Sequence, residues 1–169
     1  MIGTESSILI ATVGNPYGGD DALGPCVAKR LLAHPIEGCE VIAFGDDLST
    51  LIDHLPELDV LIIVDAAVDP TFVSLGRLFD MRARKVLKRL SFPHTPLSSH
   101  GLSLEQVIAL AIELELLPRV ARIVGLVTDG KHRIGRPTPT VQYAVPSIIG
   151  RIKKQVKRYR TLNNSVNSA

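Results

Sequence analysis

The chain has 169 residues, of which 46% are hydrophobic and 21% are charged, and its formal net charge is +2. This length suits one domain with a sizeable core and is too short for two ordinary domains. No apolar run approaches the roughly 20 residues that a membrane-spanning helix needs, and the first residues lack the basic and apolar regions of a secretory signal. We therefore expect a single domain at residues 1–160 that works in the cytoplasm with no membrane partner, followed by a frayed tail at 161–169.

The first half of the chain predicts three strands and two helices. They are, in order, a strand at 7–13, a helix at 22–33, a strand at 40–44, a short helix ended by Pro56, and a strand at 60–64. The last of these strands is a continuous apolar run that stops at Asp65. Such a run indicates a strand buried on both faces, as in the centre of a parallel sheet.

The second half of the chain predicts a weaker strand, a long loop and two further helices around a last strand. The weaker strand, at 71–80, suits a sheet edge, and the loop at 81–101 is long enough to be functional. A capping-box pattern at 103–106 opens a helix that Pro118 ends, and residues 120–127 form the last strand. A polar loop follows, and Pro146 marks either the first turn or a kink of the C-terminal helix.

This alternation of strands and helices predicts an α/β fold. We expect a three-layer α/β/α domain with a mostly parallel, about five-stranded twisted sheet. The C-terminal helix carries many cations at helical spacing, without the interleaved aromatic residues of a stacking platform, so we expect no nucleic-acid partner. Binding sites in such folds lie at the carboxyl ends of the strands.

Acidic residues follow each of the first three predicted strands. They are Asp20 and Asp21 after the first strand, Asp46 and Asp47 after the second, and Asp65 and Asp69 after the third. If the first and third strands are neighbours, Asp21 and Asp65 face each other across a crevice. Two such carboxylates repel unless one is protonated or both bind a metal. Asp20 is interpreted as the N-cap of the first helix, with an auxiliary role at the site as the alternative.

Among the histidines, His100 is the one that we expect near this crevice. His34, His54 and His132 are interpreted as surface or helix-cap residues, whereas His94 and His100 lie in the long loop. His100 immediately precedes the capping-box helix. One imidazole and two carboxylates with open positions suit nickel, zinc, iron or manganese.

Other catalytic signatures are absent from the sequence. There is no G-x-S-x-G, H-E-x-x-H or Walker A motif, and Asn15-Pro16 places a rigid turn where a nucleotide phosphate would approach. The two cysteines, Cys26 and Cys39, are predicted to be buried thiols and lack the electropositive setting of a nucleophile. These features disfavour a nucleotide-binding module and a thiol protease.

Six short pieces of the sequence resemble the hydrogenase maturation proteases, which trim the C-terminal peptide from the large subunit of nickel–iron hydrogenases. The pieces are Gly14-Asn15, Gly19-Asp-Asp-Ala-Leu-Gly24, Val64-Asp-Ala66, Ser99-His-Gly-Leu102, Val124-Gly125 and Pro139-Thr-Val141. They occur in the family's order across nearly the whole chain.

The resemblance implies that Asp21, Asp65 and His100 are metal-binding positions. It also implies that the metal is the nickel already inserted in the substrate, so that only a precursor carrying the ion is recognised; zinc or another divalent ion could substitute. No side chain is assigned as the attacking group, and this metal site is the best catalytic candidate.

One departure from the family pattern follows the second strand. The family commonly has Asp-Gly-Gly-Thr there, and this chain has Phe44-Gly45-Asp46-Asp47. This leaves two interpretations, in which Asp46 or Asp47 takes over an auxiliary role at the site or caps the short helix. It also leaves open which hydrogenase is the partner.

Three functions follow from these observations. The leading hypothesis is a nickel-dependent endopeptidase that acts on a hydrogenase large-subunit precursor. The second is a non-enzymatic nickel-recognising checkpoint or chaperone for the same precursor. The third is a nucleotide-binding α/β module.

Overall fold

A five-stranded, mostly parallel sheet forms the centre of the molecule. The computed structural model describes residues 7–69, 75–86, 101–131 and 134–167. The strands are β1 (Ile8–Val13), β2 (Glu40–Gly45), β3 (Val60–Val68), β4 (Leu78–Arg82) and β5 (Val120–Thr128). Their order is β2-β1-β3-β5-β4, in which the first four run parallel and β4 pairs antiparallel with β5. The predicted α/β fold is confirmed, and so is the edge position of the fourth strand.

Helices cover both faces of the sheet. They are α1 (Leu23–Ala33), α2 (Leu51–His54), α3 (Ala83–Val86), α4 (Leu104–Glu113) and α5 (Pro139–Asn167), with a 3-10 turn at Gly19–Ala22 before α1. Side chains alternate across each strand, so that Leu9 and Ala11 pack towards α2 and α4, whereas Ile8 and Ile10 pack towards α1 and α5. The two apolar layers complete the predicted three-layer arrangement.

The capping box at the start of α4 is present as predicted. The Ser103 hydroxyl accepts a hydrogen bond from the Gln106 amide, and the Gln106 side chain accepts one from the Ser103 amide. These bonds satisfy two amides that a helix start leaves unpaired. The start of α4 is therefore fixed by its own sequence.

Three sequence-based boundaries are wrong. The third strand continues past Asp65 to Val68, because β5 pairs with it along its whole length. A short helix, α3, lies in the segment predicted as a loop. The fourth strand, expected at 71–80, begins only at Leu78 and continues to Arg82, and residues 75–77 lie outside any strand. The helix α5 runs to Asn167 with Pro146 inside it, and the frayed tail at 161–169 stays a prediction.

The cysteines differ from the prediction in their burial. Cys26 and Cys39 are half-buried rather than fully buried, and both are free thiols. Partial burial raises the pKa of each thiol, with nearby Lys29 and Arg160 acting against it. Both thiols therefore stay protonated near neutral pH, which agrees with the absence of a cysteine nucleophile. In the part of the chain that the structure describes, no helix is long and apolar enough to cross a membrane.

Close contact between α1 and β1 depends on Gly24. A Cβ atom at this position would lie 1.9 Å from the carbonyl oxygen of Val13, so Gly24→Ala must push the helix away from the strand. We expect the variant to lose about 2 kcal/mol of unfolding free energy, measured by urea denaturation. The control is Gly150→Ala in α5, where a Cβ meets no atom within 4 Å and should stabilise the helix slightly. Equal stability of the two variants would contradict this account of the packing.

Candidate functional site

The loop after β1 folds around the side chain of Asp21. One carboxylate oxygen of Asp21 accepts a hydrogen bond from the Asn15 amide at 2.9 Å, and the Asn15 side chain accepts one from the Tyr17 amide. Gly14 has a φ of 117°, and a Cβ there would lie 2.0 Å from the Asp21 carbonyl oxygen and 3.3 Å from the carboxylate carbon. Only glycine fits this position. The half-buried Asp21 is thus held against the end of β1.

Asp20 has a different role from its neighbour. Its carboxylate is 7% exposed and accepts a hydrogen bond from the Thr138 hydroxyl at 2.7 Å, just before α5. It forms no helix cap, because it lies within the 3-10 turn, and neither Gly18 before that turn nor Ala22 before α1 provides a side-chain cap. The predicted N-cap is therefore wrong, and Asp20 ties the 3-10 turn to the start of the last helix. Sequence reasoning missed Thr138, since the two residues are 118 positions apart.

Asp65 is fully buried at the carboxyl edge of the sheet. Its pairing partner on the β5 side is Gly125, whereas on the other side β1 pairs with β3 only as far as Thr12–Val64. Asp65 therefore lies just beyond the end of β1. One of its carboxylate oxygens accepts a hydrogen bond from the Ala66 amide at 2.7 Å. By strand alternation its side chain is on the same face as Ile63 and Ala67, towards α2 and α4.

The topology brings Asp21 and Asp65 to the same end of the sheet, and a crevice shared by their side chains stays a prediction. β1 lies between β2 and β3 in the sheet. The connections at the carboxyl ends of the strands therefore diverge to opposite sides of β1, and such a switch point is where binding crevices form in open α/β sheets. The 3-10 turn that contains Asp21 contacts β3, which contains Asp65. The neighbouring positions of β1 and β3 are confirmed.

The histidine that would complete the site lies outside the described residues, as do His94 and His132. His100 immediately precedes Gly101, where the description resumes. Within the described ranges, no group of three or more histidine, cysteine, aspartate or glutamate side chains is arranged to hold a metal ion. The ligand set Asp21, Asp65 and His100 stays a prediction.

The loop after β2 holds the segment that follows His100. Asp47 accepts a hydrogen bond from the Ser49 amide at 2.8 Å, and a Cβ at Gly101 would lie 3.0 Å from the Asp47 carboxylate. The Leu48 amide donates to the Leu102 carbonyl at 3.3 Å. Hydrogen bonds from Ser49, and to a smaller extent from the Leu102 amide, lower the pKa of the Asp47 carboxyl.

These contacts decide between the interpretations of Asp46 and Asp47. Thr50 occupies the N-cap position of α2 without a capping side chain, so neither aspartate caps that helix. Asp46 is exposed, and Asp47 closes a turn and abuts Gly101. Asp47 is therefore in a position to orient the segment next to His100.

Phe44 and the remaining histidines have structural surroundings. The Phe44 ring, where the family commonly has aspartate, packs edge-on against the His54 ring with centroids 5.7 Å apart. His54 is exposed on α2, and His34 occupies the position after the last residue of α1. Their interpretation as surface or cap residues is confirmed.

A second loop covers the outside of the β1 loop. The Gly135 amide donates to the Tyr17 carbonyl at 2.7 Å, and the Gly19 amide donates to the Gly135 carbonyl at 3.2 Å. This pairing leaves two large apolar side chains in solvent, Tyr17 at 76% and Ile134 at 94% exposure. Sequence reasoning missed this pair, because isolated apolar residues in a polar loop carry no periodic signal.

Several solved structures share this fold. The hydrogenase maturating endopeptidase HybD from E. coli is 22% identical, with a TM-score of 0.73 over 90% of this chain and 93% of that chain. HybD from Thermococcus kodakarensis, a NiFe hydrogenase maturation protease, is 19% identical, with a TM-score of 0.67 over 88% and 98%. HycI from Thermococcus kodakarensis KOD1, also such a protease, is 22% identical, with a TM-score of 0.66 over 90% and 93%. No match was found among curated proteins.

The fold is a three-layer α/β/α domain with acidic residues at the carboxyl ends of β1 and β3. Residues 26–155, more than half of the chain, match the family model described as hydrogenase maturation protease. The chain belongs to the hydrogenase maturation protease family. The resemblance noted in the sequence is confirmed, and the predicted enzyme class, an endopeptidase of this type, is confirmed at the level of the family.

The contact of Asp47 with the 101–102 segment can be tested by hydrogen exchange. In Asp47→Ala the carboxylate that accepts the hydrogen bond from the Ser49 amide is lost, so the amides of Leu48 and Ser49 should exchange about tenfold faster than in the wild type. Asp46→Ala, at the neighbouring exposed position, is the control and should leave both rates unchanged. Unchanged exchange in Asp47→Ala would show that the carboxylate does not hold this segment.

Proposed function

We propose that this protein is a nickel-dependent endopeptidase that removes the C-terminal peptide of a nickel–iron hydrogenase large-subunit precursor after metal insertion. Membership of the maturation protease family supports the reaction class. The single observation that supports the site is the fully buried Asp65, placed just beyond the end of β1 and beside the turn that contains Asp21. The cytoplasmic location and the absence of a nucleic-acid partner are part of the same proposal.

Burial makes Asp65 a strong candidate for a metal ligand. A carboxylate with no exposed surface is costly to ionise, and a divalent cation nearby favours the charged form. Asp21 adds a second carboxylate that its loop has already oriented, because the Asn15 amide fixes one oxygen. Two preorganised oxygen donors reduce the entropy that an arriving ion would otherwise have to overcome.

In this proposal the nickel arrives as part of the substrate. Asp21, Asp65 and His100 would hold the ion through coordination positions that the precursor leaves open, with zinc or another divalent ion able to substitute. A precursor without nickel would lack this contact and would bind poorly, which gives the enzyme its selectivity. A bound divalent ion supplies Lewis-acid polarisation to a nearby carbonyl.

The exposed pair Tyr17 and Ile134 suits the polypeptide part of the substrate. Both side chains emerge from the paired loops beside the Asp21 turn, and aromatic and aliphatic anchors of this kind dominate protein–protein contacts. We propose that they contact the precursor next to the metal. Since Tyr17 and Ile134 are uncharged, this contact would depend on apolar burial and not on the positive charges of the chain.

The metal ligands are tested by processing of a nickel-loaded precursor. Asp21→Asn, Asp65→Asn and His100→Ala should each lower the rate of peptide removal by about 100-fold or more, because each removes a donor from the ion. Intact mass of the precursor before and after incubation measures the reaction, and it also separates a protease from a checkpoint that binds without cutting. A nickel-free precursor should remain uncut.

The matched control for these variants is Asp20→Asn. It is the same substitution at the adjacent position, and its amide oxygen can still accept the hydrogen bond from Thr138. We expect processing within about twofold of the wild type, since losing a charge but keeping the bond affects stability rather than the ion. If Asp21→Asn, Asp65→Asn and His100→Ala fold and process the precursor at the wild-type rate, the site assignment is wrong.

The docking residues are tested by steady-state kinetics. The double variant Tyr17→Ala/Ile134→Ala should raise KM about tenfold and leave kcat nearly unchanged, because it removes binding that is equal in the ground and transition states. Leu32→Ala, at another exposed apolar position in the second half of α1, is the control. A fall in kcat without a change in KM would assign the pair to catalysis instead of docking.

A further inference from the structure

A cavity of about 420 Å³ lies at the opposite end of the strands from the candidate metal site. Its walls come from the start of β5, the end of β4, the helix α3 and the last third of α5. Because β4 runs antiparallel to β5, the end of β4 lies beside the start of β5. This places the cavity at the amino ends of the parallel strands.

The cavity is lined by a cluster of cations. They are Arg82, Arg84, Lys85, Arg119, Arg122 and Arg158. Arg82 and Arg122 are direct partners in the β4–β5 register, an arrangement that is unfavourable for like charges. The fold therefore concentrates positive charge at this end of the strands.

One carboxylate offsets part of this charge. One carboxylate oxygen of Asp80 accepts a hydrogen bond from the Arg122 guanidinium at 2.5 Å, and the other accepts one from the side-chain amide of Gln155 at 2.5 Å. The Arg122 guanidinium also donates to the Asp80 carbonyl at 2.9 Å. Each carboxylate oxygen of Asp80 thus accepts a side-chain hydrogen bond. Among the residues that the structure describes, no carboxylate forms an ion pair with the other five cations.

We propose that this cavity binds a small phosphate-bearing molecule. Arginine presents a planar fork of donors that matches phosphate oxygens, and five of the six cations are arginines. The volume falls in the range of small-molecule sites. Leu117 and Tyr159 line the same cavity and provide apolar surface for an organic group, as in a nucleotide. This site is independent of the proposed peptidase function.

Isothermal titration of the full chain with ATP, inorganic pyrophosphate and inorganic phosphate tests the proposal at about 0.15 M salt, where exposed charges are largely screened. We expect saturable binding with one site per chain for ATP and pyrophosphate. Equal affinities would place the binding energy in the phosphates, and a tighter ATP complex would add a contribution from the apolar wall; both results support the site. The double variant Arg84→Glu/Arg119→Glu should bind at least tenfold more weakly.

The control is Lys153→Glu/Lys157→Glu, which makes the same change in net charge at two exposed positions of α5 that do not line the cavity. It should bind as the wild type does. If charge reversal prevents folding, Arg84→Gln/Arg119→Gln takes its place with the same expected direction. Equal weakening by both pairs of variants, or no saturable binding of any phosphate, overturns the proposal. Binding of duplex DNA or anionic vesicles without binding of the small phosphates overturns it as well, since that would indicate an extended basic surface.

Discussion

The pairing of β1 with β3 ends at Thr12–Val64, while β3 continues for four more residues with β5 as its partner. This mismatch in length is the constraint on which the candidate site depends. A longer β1 would pair with Asp65 and close the edge, and a shorter β3 would leave Asp65 in a loop without a fixed orientation. Asp65 belongs to a strand and still lies beyond the end of β1. Its position is therefore fixed by strand pairing, as a ligand or catalytic group requires.

The two adjacent aspartates show how a single turn can serve both stability and function. Asp20 points towards the start of α5 and bonds to Thr138, whereas Asp21 points back to the β1 loop and accepts from Asn15. A 3-10 turn has about three residues per turn, so neighbouring side chains leave it in well-separated directions. An α-helix that started two residues earlier, at Asp21, would place Asp20 at its N-cap position. The tighter turn is what directs the second carboxylate to the edge of the sheet.

Local patterns in the sequence were sufficient to predict the order of the strands, the starts of the longer helices and the aspartates at the carboxyl ends of the strands. The capping box of α4 and the buried run of β3 are examples, because each depends on residues close together in the chain. What the sequence did not predict depends on distant partners. The extension of β3 needs β5, the role of Asp20 needs Thr138, and the position of Asp47 needs Gly101. The cationic cavity was not predicted either, since its arginines and its lysine come from separate segments of the chain, and each segment taken alone is typical of solvent-exposed surface.

The small net charge of +2 conceals a strong separation of charge along the strands. Aspartates gather at the carboxyl edge of the sheet, and the arginine-lined cavity lies at the amino edge. β5 has nine residues, so the two edges are about 30 Å apart at the usual rise per residue. The screening length at physiological salt is about 8 Å, so neither edge feels much of the other's field. A cation at one end and an anion at the other can therefore bind without direct electrostatic coupling. Any influence of one on the other would have to pass through the packing of elements that reach both ends of the sheet, such as β3, β5 and α5.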